Sequence, residues 1–253
     1  CQNNLFPLSV PDIVQVLKSF DTGKSPGPDR LHIESFMYGG HRLIVCLCIL
    51  FNAFLMQGYV PSKFTNSIMI PLIKDKNKNL SDFNNYRAIS LSNCVTKIFE
   101  NLLFDFIVSI DDSDMYQFGF KRNHSTTTCT YSLKKVVNYY RNNGSHVFVS
   151  FVDFSKAFDY VNYWLLFTEL LDSKSSTNCF AATRVLAFWY SHQSTAVRWQ
   201  SAVSNSFSLS NGVRQGGILS PFLFRFYIRK LINNIVCSGI GCFYMNRFVN
   251  LLA

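Results

Sequence analysis

Apolar and polar positions along the chain repeat with two periods, which together predict a mixed α/β fold. Residues 10–20, 41–57 and 128–141 carry apolar side chains three or four positions apart, which predicts helices. Residues 197–209 alternate at every second position, which predicts a hairpin or strand pair, and residues 240–253 predict a strand, a turn and a second strand.

Two further strands are predicted from residue type. The segment VFVSFV, residues 147–152, is rich in β-branched and aromatic residues and predicts a buried strand. Alternation around Ile68 and Ile70 predicts another strand, which we expect Pro71 to end because proline has no amide hydrogen. Residues 86–108 begin extended and then take on helical spacing.

Composition establishes a globular protein with a basic surface. The 253 residues are 48% hydrophobic and 15% charged, which is enough for a sizeable core and excludes a disordered chain. Lys and Arg outnumber Asp and Glu by 24 to 15, a formal charge of +9. This excess favours an anionic partner such as nucleic acid, but it also fits an ordinary basic surface.

Several protein classes are excluded at this stage. The most apolar segment, residues 43–56, contains Asn52 and is shorter than the roughly 20 residues that span a bilayer, so it predicts a buried helix and no membrane partner. The N-terminal residues lack signal-peptide features, and we expect an intracellular protein, nuclear or cytoplasmic. The GKS triplet at Gly23 is not a P-loop, because the required glycine five positions earlier is Lys18.

Asp153 is the carboxylate that most needs an explanation. It follows the predicted buried strand and has aromatic and β-branched neighbours, so its charge is costly unless it is hydrogen-bonded, paired or bound to a metal. An N-cap at a strand-to-helix junction is the alternative. The acidic residues Asp111, Asp112 and Asp114 lie in a polar loop and predict a solvated turn.

Four sequence segments, in a fixed order, carry a family resemblance: NNYRAISLSNCVTKIFE, QFGFKRNHST, DFSKAFDYVN and NGVRQGGILSPFLF. Together they resemble the reverse transcriptase domain of non-LTR (LINE-type) retrotransposons, from SPGPD near residue 25 to the last residue. The resemblance implies an α/β right-hand polymerase with an N-terminal helical lead (1–60), a fingers-like region (61–145) and a palm (146–253). Because the family's Tyr/Phe-Ala-Asp-Asp box follows a strand like FVNLLA, we expect the palm to be incomplete and the thumb absent at Ala253.

The resemblance also implies site residues. Asp153 matches the family's first metal-binding aspartate, and two Mg²⁺ ions are expected in the intact site. Phe158 matches the ring that excludes a 2′-hydroxyl, and Lys74 and Arg87 match positions that contact the triphosphate. The substrate-binding positions implied are Lys74, Arg87, Phe154, Phe158, Gln215 and Gly216. From residue type alone, exposed charges, core packing and an ordinary glycine turn explain the same residues.

The implied function is an RNA-directed DNA polymerase that extends a DNA primer along an RNA template with dNTPs. We expect this polypeptide alone to be inactive, because one carboxylate cannot hold two Mg²⁺ ions. The alternative is a non-catalytic, nucleic-acid-binding remnant of a polymerase, and a remnant with only a structural role is a second alternative. The sequence predicts no oligomeric state.

Three positions depart from the family pattern. Many relatives have Pro where this chain has Arg214, and a His where it has Tyr163. Arg225 replaces a small or apolar residue beside three phenylalanines, so we expect it either to face nucleic acid or to disturb the core.

Overall fold

Helices and short strands are mixed along the chain. The computed structural model describes residues 7–108, 117–121, 124–173, 176–239, 241–245 and 247–249. Its helices are α1 (Val10–Lys18), α2 (Ile33–Met37), α3 (Gly40–Gln57), α4 (Ser62–Thr65), α5 (Cys94–Val108), α6 (Thr126–Asn142), α7 (Tyr163–Asp172), α8 (Thr177–Ser191) and α9 (Ser220–Cys237). Its strands are β1 (Asn66–Ile73), β2 (Tyr86–Ser92), β3 (Ser194–Trp199), β4 (Ala202–Val203), β5 (Phe207–Ser208), β6 (Cys242–Tyr244) and β7 (Arg247–Val249). The α/β class predicted from the sequence is confirmed.

Side-chain caps explain where several helices begin. The carboxylate of Asp12 accepts a hydrogen bond from the backbone N–H of Ser9 (2.7 Å) ahead of α1. Ser125 Oγ accepts from the N–H of Thr128 (3.2 Å) at the start of α6, and Asn162 Oδ1 accepts from Trp164 (3.0 Å) at the start of α7. These bonds satisfy amides that have no partner within the helix. Asp111, Asp112 and Asp114, which were predicted to lie in a solvated turn, are outside the described part of the chain.

The chain divides into two compact units. The first comprises Cys1–Ile110 with Phe158–Ser220, and the second comprises Asp111–Ala157 with Pro221–Ala253. The division into lead, fingers and palm stays a prediction.

Strand β1 lies inside the sheet of the first unit, between β2 and β3. The strand order is β2-β1-β3-β4, with β5 also paired to β3; β1 runs antiparallel to β2 and parallel to β3. The prediction that Pro71 ends the strand was wrong, because β1 continues to Ile73. Pairing with β3 is described only as far as Met69, so Pro71 lies where β1 has β2 as its neighbour, and a missing amide hydrogen is tolerated there.

Aromatic rings from four helices form the core of the first unit. Phe51 of α3 stacks on Phe99 of α5 with ring centroids 4.9 Å apart. Phe64 of α4 meets Trp189 of α8 edge to face at 5.3 Å. Pairs of this kind stabilise a fold by about 0.5–1.5 kcal/mol each beyond the area they bury. The cluster connects α3, α4, α5 and α8, and α4 ends at Thr65, directly before β1 in the chain.

Helix α3 is long and apolar enough, by length and composition, to cross a membrane. A third of that window is buried inside the fold, including Phe51, Phe54 and Leu55. Core helices of water-soluble proteins meet the same two criteria, so α3 by itself is weak evidence for a membrane span.

The second unit contains α6, most of α9 and the β6–β7 hairpin, which confirms the strand-turn-strand prediction over the described residues. The hydroxyl of Tyr140 donates to the carbonyl of Phe243 (2.6 Å) and joins α6 to this hairpin. Arg225 is 8% exposed: its Nη1 lies 3.4 Å from the carbonyl oxygen of Phe120 and its guanidinium lies 5.3 Å from the ring of Phe222. A carbonyl and an aromatic face therefore accommodate the charge inside this unit.

Candidate functional site

The Gln215–Gly216 turn is a tight backbone turn in the first unit. The N–H of Gly217 donates to the carbonyl of Arg214 (3.1 Å) and closes it. Gly216 has φ +107°, and a Cβ at this position would lie 2.9 Å from the carbonyl oxygen of Ser90. Both the conformation and the close approach require glycine.

A backbone hydrogen bond fixes this turn to strand β2. The N–H of Ser90 donates to the carbonyl of Gln215 at 2.7 Å. Strand β2 is an edge strand in the part of the sheet that the structure describes, so the turn covers part of an edge that would otherwise be open. Gln215 remains half-buried and Gly216 exposed.

Lys74 and Arg87 lie on one face of the β1–β2 hairpin. Arg87 is paired with Leu72, and the N–H of Lys74 donates to the carbonyl of Asn85 (2.8 Å), so alternation puts residues 72, 74 and 87 on the same face. Both cationic residues are exposed. The Lys74 ammonium donates to the carbonyl of Asn84 (2.8 Å) and keeps two further donors for an anion.

The turn approaches the same face of the hairpin. A Cβ on Gly216 would lie 3.5 Å from Cγ2 of Ile89, and Ile89 is two residues from Arg87 on β2. The structure thus brings four of the predicted substrate-binding residues to one strand pair, although Lys74 and Arg87 lie more than a hundred positions before Gln215 and Gly216 in the sequence.

Phe158 is connected to the segment that leads into the turn. Its carbonyl accepts from the N–H of Val213 (2.8 Å), and the N–H of Gly212 donates to the carbonyl of Val161 (2.9 Å). The Phe158 ring is half-buried. Two backbone bonds therefore hold Phe158 beside the chain just before Gln215.

The strand predicted at residues 147–152 is wrong. This segment is irregular, and Phe148 is 95% exposed, Phe151 83% and Val152 78%. Strand propensity stabilises a strand only when neighbouring strands pair with it, and the strand pairs of the described residues do not include this segment. Asp153 and Phe154 are exposed too, so the desolvation cost expected for the carboxylate does not arise.

The described residues do not by themselves fit a site for two divalent ions. Among them, no group of three His, Cys, Asp or Glu side chains converges. Mg²⁺ in a polymerase site is held by more than one carboxylate, whereas Asp153 is a single exposed one. Asp153 as a metal ligand therefore stays a prediction.

Beneath the turn lies a buried polar network centred on Arg214, which is 4% exposed. Its Nε donates to Oε1 of Gln193 (2.9 Å), its Nη1 to Oγ of Ser92 (3.2 Å) and its Nη2 to the carbonyl of Thr65 (2.5 Å). The indole of Trp189 lies 5.4 Å from the guanidinium carbon. Each nitrogen of the guanidinium is thereby used, as a buried arginine requires.

Tyr163 belongs to the same network. The amide nitrogen of Gln193 donates to the Tyr163 hydroxyl, while the amide oxygen of Gln193 accepts from Arg214. Burial raises the pKa of Tyr163 to about 12, so this phenol stays neutral at physiological pH. Tyr163 thus orients Gln193, which in turn accepts a hydrogen bond from Arg214. Tyr163 and Arg214 are both positions that depart from the family pattern.

Glu100 of α5 supports the other end of the turn. It is 2% exposed, and its Oε2 accepts from the N–H of Ile218 (2.9 Å). Burial raises the pKa of Glu100, and the positive charge of Arg214 partly offsets that rise. Burial lowers the pKa of Arg214, and Glu100 opposes that shift in turn.

Sequence reasoning missed this network, and one signal could have found it. Glu100 sits in the run IFENLLF, with Phe99, Leu102 and Leu103 around it, so helical spacing puts a carboxylate on the apolar face of α5. Glutamate is almost never fully buried unless it has a partner. A glutamate at this position therefore indicates that a cation or an N–H group from a distant part of the sequence packs against it.

Comparison with known proteins agrees with the motif resemblance. A family model described as "Reverse transcriptase (RNA-dependent DNA polymerase)" matches residues 73–245. The chain is 26% identical over 225 residues to "Probable RNA-directed DNA polymerase from transposon X-element" of Drosophila melanogaster, covering 87% of this chain and 24% of that protein. It is also 26% identical over 164 residues to "RNA-directed DNA polymerase from mobile element jockey" of the same species, covering 62% of this chain and 18% of that protein. The chain thus spans about a quarter or less of the curated relatives it matches.

Proposed function

The chain belongs to the reverse transcriptase family, and on that premise we propose that it forms part of an RNA-directed DNA polymerase of a non-LTR retrotransposon. The observation that carries the proposal is the 2.7 Å hydrogen bond from Ser90 to the carbonyl of Gln215. This bond joins the glycine turn to the strand that carries Arg87, which supports a single nucleotide-binding site formed by both.

In this proposal the cationic face of the hairpin binds the triphosphate. The Arg87 guanidinium and the Lys74 ammonium have the donor geometry for phosphate oxygens. Gln215 and the exposed backbone of Gly216 border the base and sugar, and Phe158 excludes a 2′-hydroxyl. The reaction joins the primer's 3′ oxygen to the α-phosphorus of a dNTP and releases pyrophosphate.

The remaining parts of the proposal rest on the motif match. Asp153 is proposed as one ligand of a divalent ion, and Mg²⁺ is proposed as that ion, with Phe154 beside it at the substrate. The proposed partners are an RNA template and a DNA primer, and the proposed compartment is the nucleus or the cytoplasm.

Nucleotide binding to the 253-residue chain tests the hairpin assignment. We expect dTTP to bind to the chain loaded with an RNA template and DNA primer, and Arg87→Ala to weaken it about tenfold or more, as expected for a charge-assisted hydrogen bond. The matched control is Lys18→Ala, which removes an exposed charge from α1. Equal effects of the two substitutions on dTTP affinity would remove the triphosphate assignment.

A non-catalytic nucleic-acid-binding role is the second candidate. The net charge of +9 and the single exposed carboxylate at Asp153 favour it. Primer extension by the chain, alone and fused to a Tyr-Ala-Asp-Asp hairpin from a relative, separates the candidates. Salt-dependent binding of the primer–template without extension in either form supports the second candidate, and extension that Asp153→Asn abolishes supports the first.

A further inference from the structure

We propose that Arg214 and Glu100 are positioning residues for the nucleotide, because they hold the two ends of the Gln215–Gly216 turn against the sheet. The inference rests on the proposed function and deepens it. It assigns a role to two buried charges that the chemistry of nucleotide transfer does not itself use.

Arg214 fixes the first end of the turn to three separate points of the sheet. Thr65 lies just before β1, Ser92 is the last residue of β2, and Gln193 lies just before β3. A guanidinium reaches all three at once because its donors diverge in one plane, whereas an ammonium has no such fork. Hydrogen bonds to the ends of three strands therefore fix the position of the turn.

Glu100 fixes the second end. Its Oε2 accepts from Ile218, and a Cβ on Gly217 would lie 3.5 Å from its Oε1, so the carboxylate lies directly under the turn. Arg214 directly precedes the turn and Glu100 binds the N–H of Ile218 just after it, so the two residues act at separate ends of the turn. Between them, Gln215 is bonded to Ser90, next to the strand face that carries Arg87.

Fold stability alone gives a weak reason for this arrangement. Buried charges are costly to desolvate, and replacing a set of buried charges by apolar side chains of similar size is often neutral or stabilising. What the charges add is a unique backbone position, since each hydrogen bond fixes a direction as well as a distance. The atoms so fixed are those next to the half-buried Gln215 and the exposed Gly216.

The double substitution Arg214→Met with Glu100→Leu separates positioning from stability. Amide hydrogen exchange is measured on the chain without ligand, and dTTP affinity on the chain with bound primer–template. We expect the double variant to stay folded, the Ser90 and Ile218 amides to exchange at least about tenfold faster, and dTTP affinity to fall about tenfold. Primer–template affinity should change less than about twofold, because the phosphate-binding surface charges remain.

Two further variants complete the test. The single variant Glu100→Gln keeps a side-chain oxygen that can accept from the N–H of Ile218. We therefore expect it to retain slow exchange of the Ile218 amide and near-normal dTTP affinity. Thr183→Val is the control, because it removes a different buried hydrogen bond of the same unit, to the carbonyl of Cys179, and should leave the turn amides unchanged.

The outcomes are distinguishable. Normal dTTP binding by the double variant overturns the positioning role and leaves the proposed function standing. Unchanged exchange of the Ser90 and Ile218 amides also overturns it, because the turn would then be held by other contacts. No dTTP binding by the unmodified chain with bound primer–template overturns the proposed function and the positioning role together.

Discussion

The Gln215–Gly216 turn and the segment of residues 147–154 both carry family motifs, but their surroundings are opposite. Arg214 beneath the turn is 4% exposed and bonded through three nitrogens, whereas Phe148 and Phe151 in the segment are 95% and 83% exposed. The turn is held by side chains of its own unit. The segment is built from strand-forming residues but has no strand neighbour among the described residues of its unit.

This difference shows that a family motif does not by itself fix the backbone that carries it. The residue types of DFSKAFDYVN and NGVRQGG indicate chemistry equally well, but Asp153 and Phe154 at the start of the first are exposed, whereas Arg214 of the second is fixed by buried hydrogen bonds. Substitutions in the two regions should therefore have very different effects on stability.

The largest expected effect is that of Arg214→Met alone. It removes three hydrogen bonds and deprives three buried acceptors of this donor, at about 1–3 kcal/mol for each such group, so we expect a loss of about 3 kcal/mol or more. The free energy of unfolding in urea measures the loss. A loss below about 1 kcal/mol would mean that the network does not distinguish the two regions.

Gly27→Ala should disturb the same network through Ser92, which accepts a hydrogen bond from Arg214. A Cβ on Gly27 would lie 2.5 Å from the carbonyl oxygen of Ser92 and 2.7 Å from Cα of Asn93, and backbone atoms cannot move aside cheaply. We expect a loss of about 1–3 kcal/mol in urea unfolding. Ser25→Ala, an exposed position of the same loop, should change the free energy by less than about 0.5 kcal/mol, and equal losses would contradict the close packing.

Glu100→Gln should change the pH dependence of stability. The pKa of Glu100 is raised in the folded state, so its contribution is present below its ordinary value of 4.5 and is lost as pH rises through the folded-state pKa. The unmodified chain should lose unfolding free energy relative to Glu100→Gln as pH increases from 4.5. Urea unfolding of both proteins across this range measures the difference, and parallel curves would exclude a buried, titrating Glu100.

The smallest effects are expected in the exposed segment. Phe148→Ser and Phe151→Ser should each change the free energy of unfolding by less than about 0.5 kcal/mol, because these rings bury little surface. Phe99→Ser, at a fully buried ring, is the control and should cost about 3 kcal/mol or more. A loss above about 1 kcal/mol at Phe151 would show that the segment packs in solution.

The sequence pattern correctly predicted the helices and the hairpin that are stabilised by residues close together in the chain. Helices α1, α3, α5 and α6 follow from the apolar spacing of their own residues, and the pairing of β3 with β4 and β5 follows from the alternation of residues 197–209. Pro71 and residues 147–152 were predicted wrongly because strand formation depends on a neighbour that the local sequence does not specify. Lys74, Arg87, Gln215 and Gly216 could be selected from motifs, whereas the Arg214 network joins positions from 65 to 214 that share no local pattern.

The position of β1 between β2 and β3 also has a consequence for biosynthesis. Strand β2 follows β1 closely, but Ser67 and its β3 partner Thr195 are 128 residues apart. At about 5–20 residues per second, a ribosome needs roughly 6–25 s to deliver the second neighbour. During that interval one side of an apolar strand is open, so nascent chains of this protein should depend on chaperones that bind extended segments.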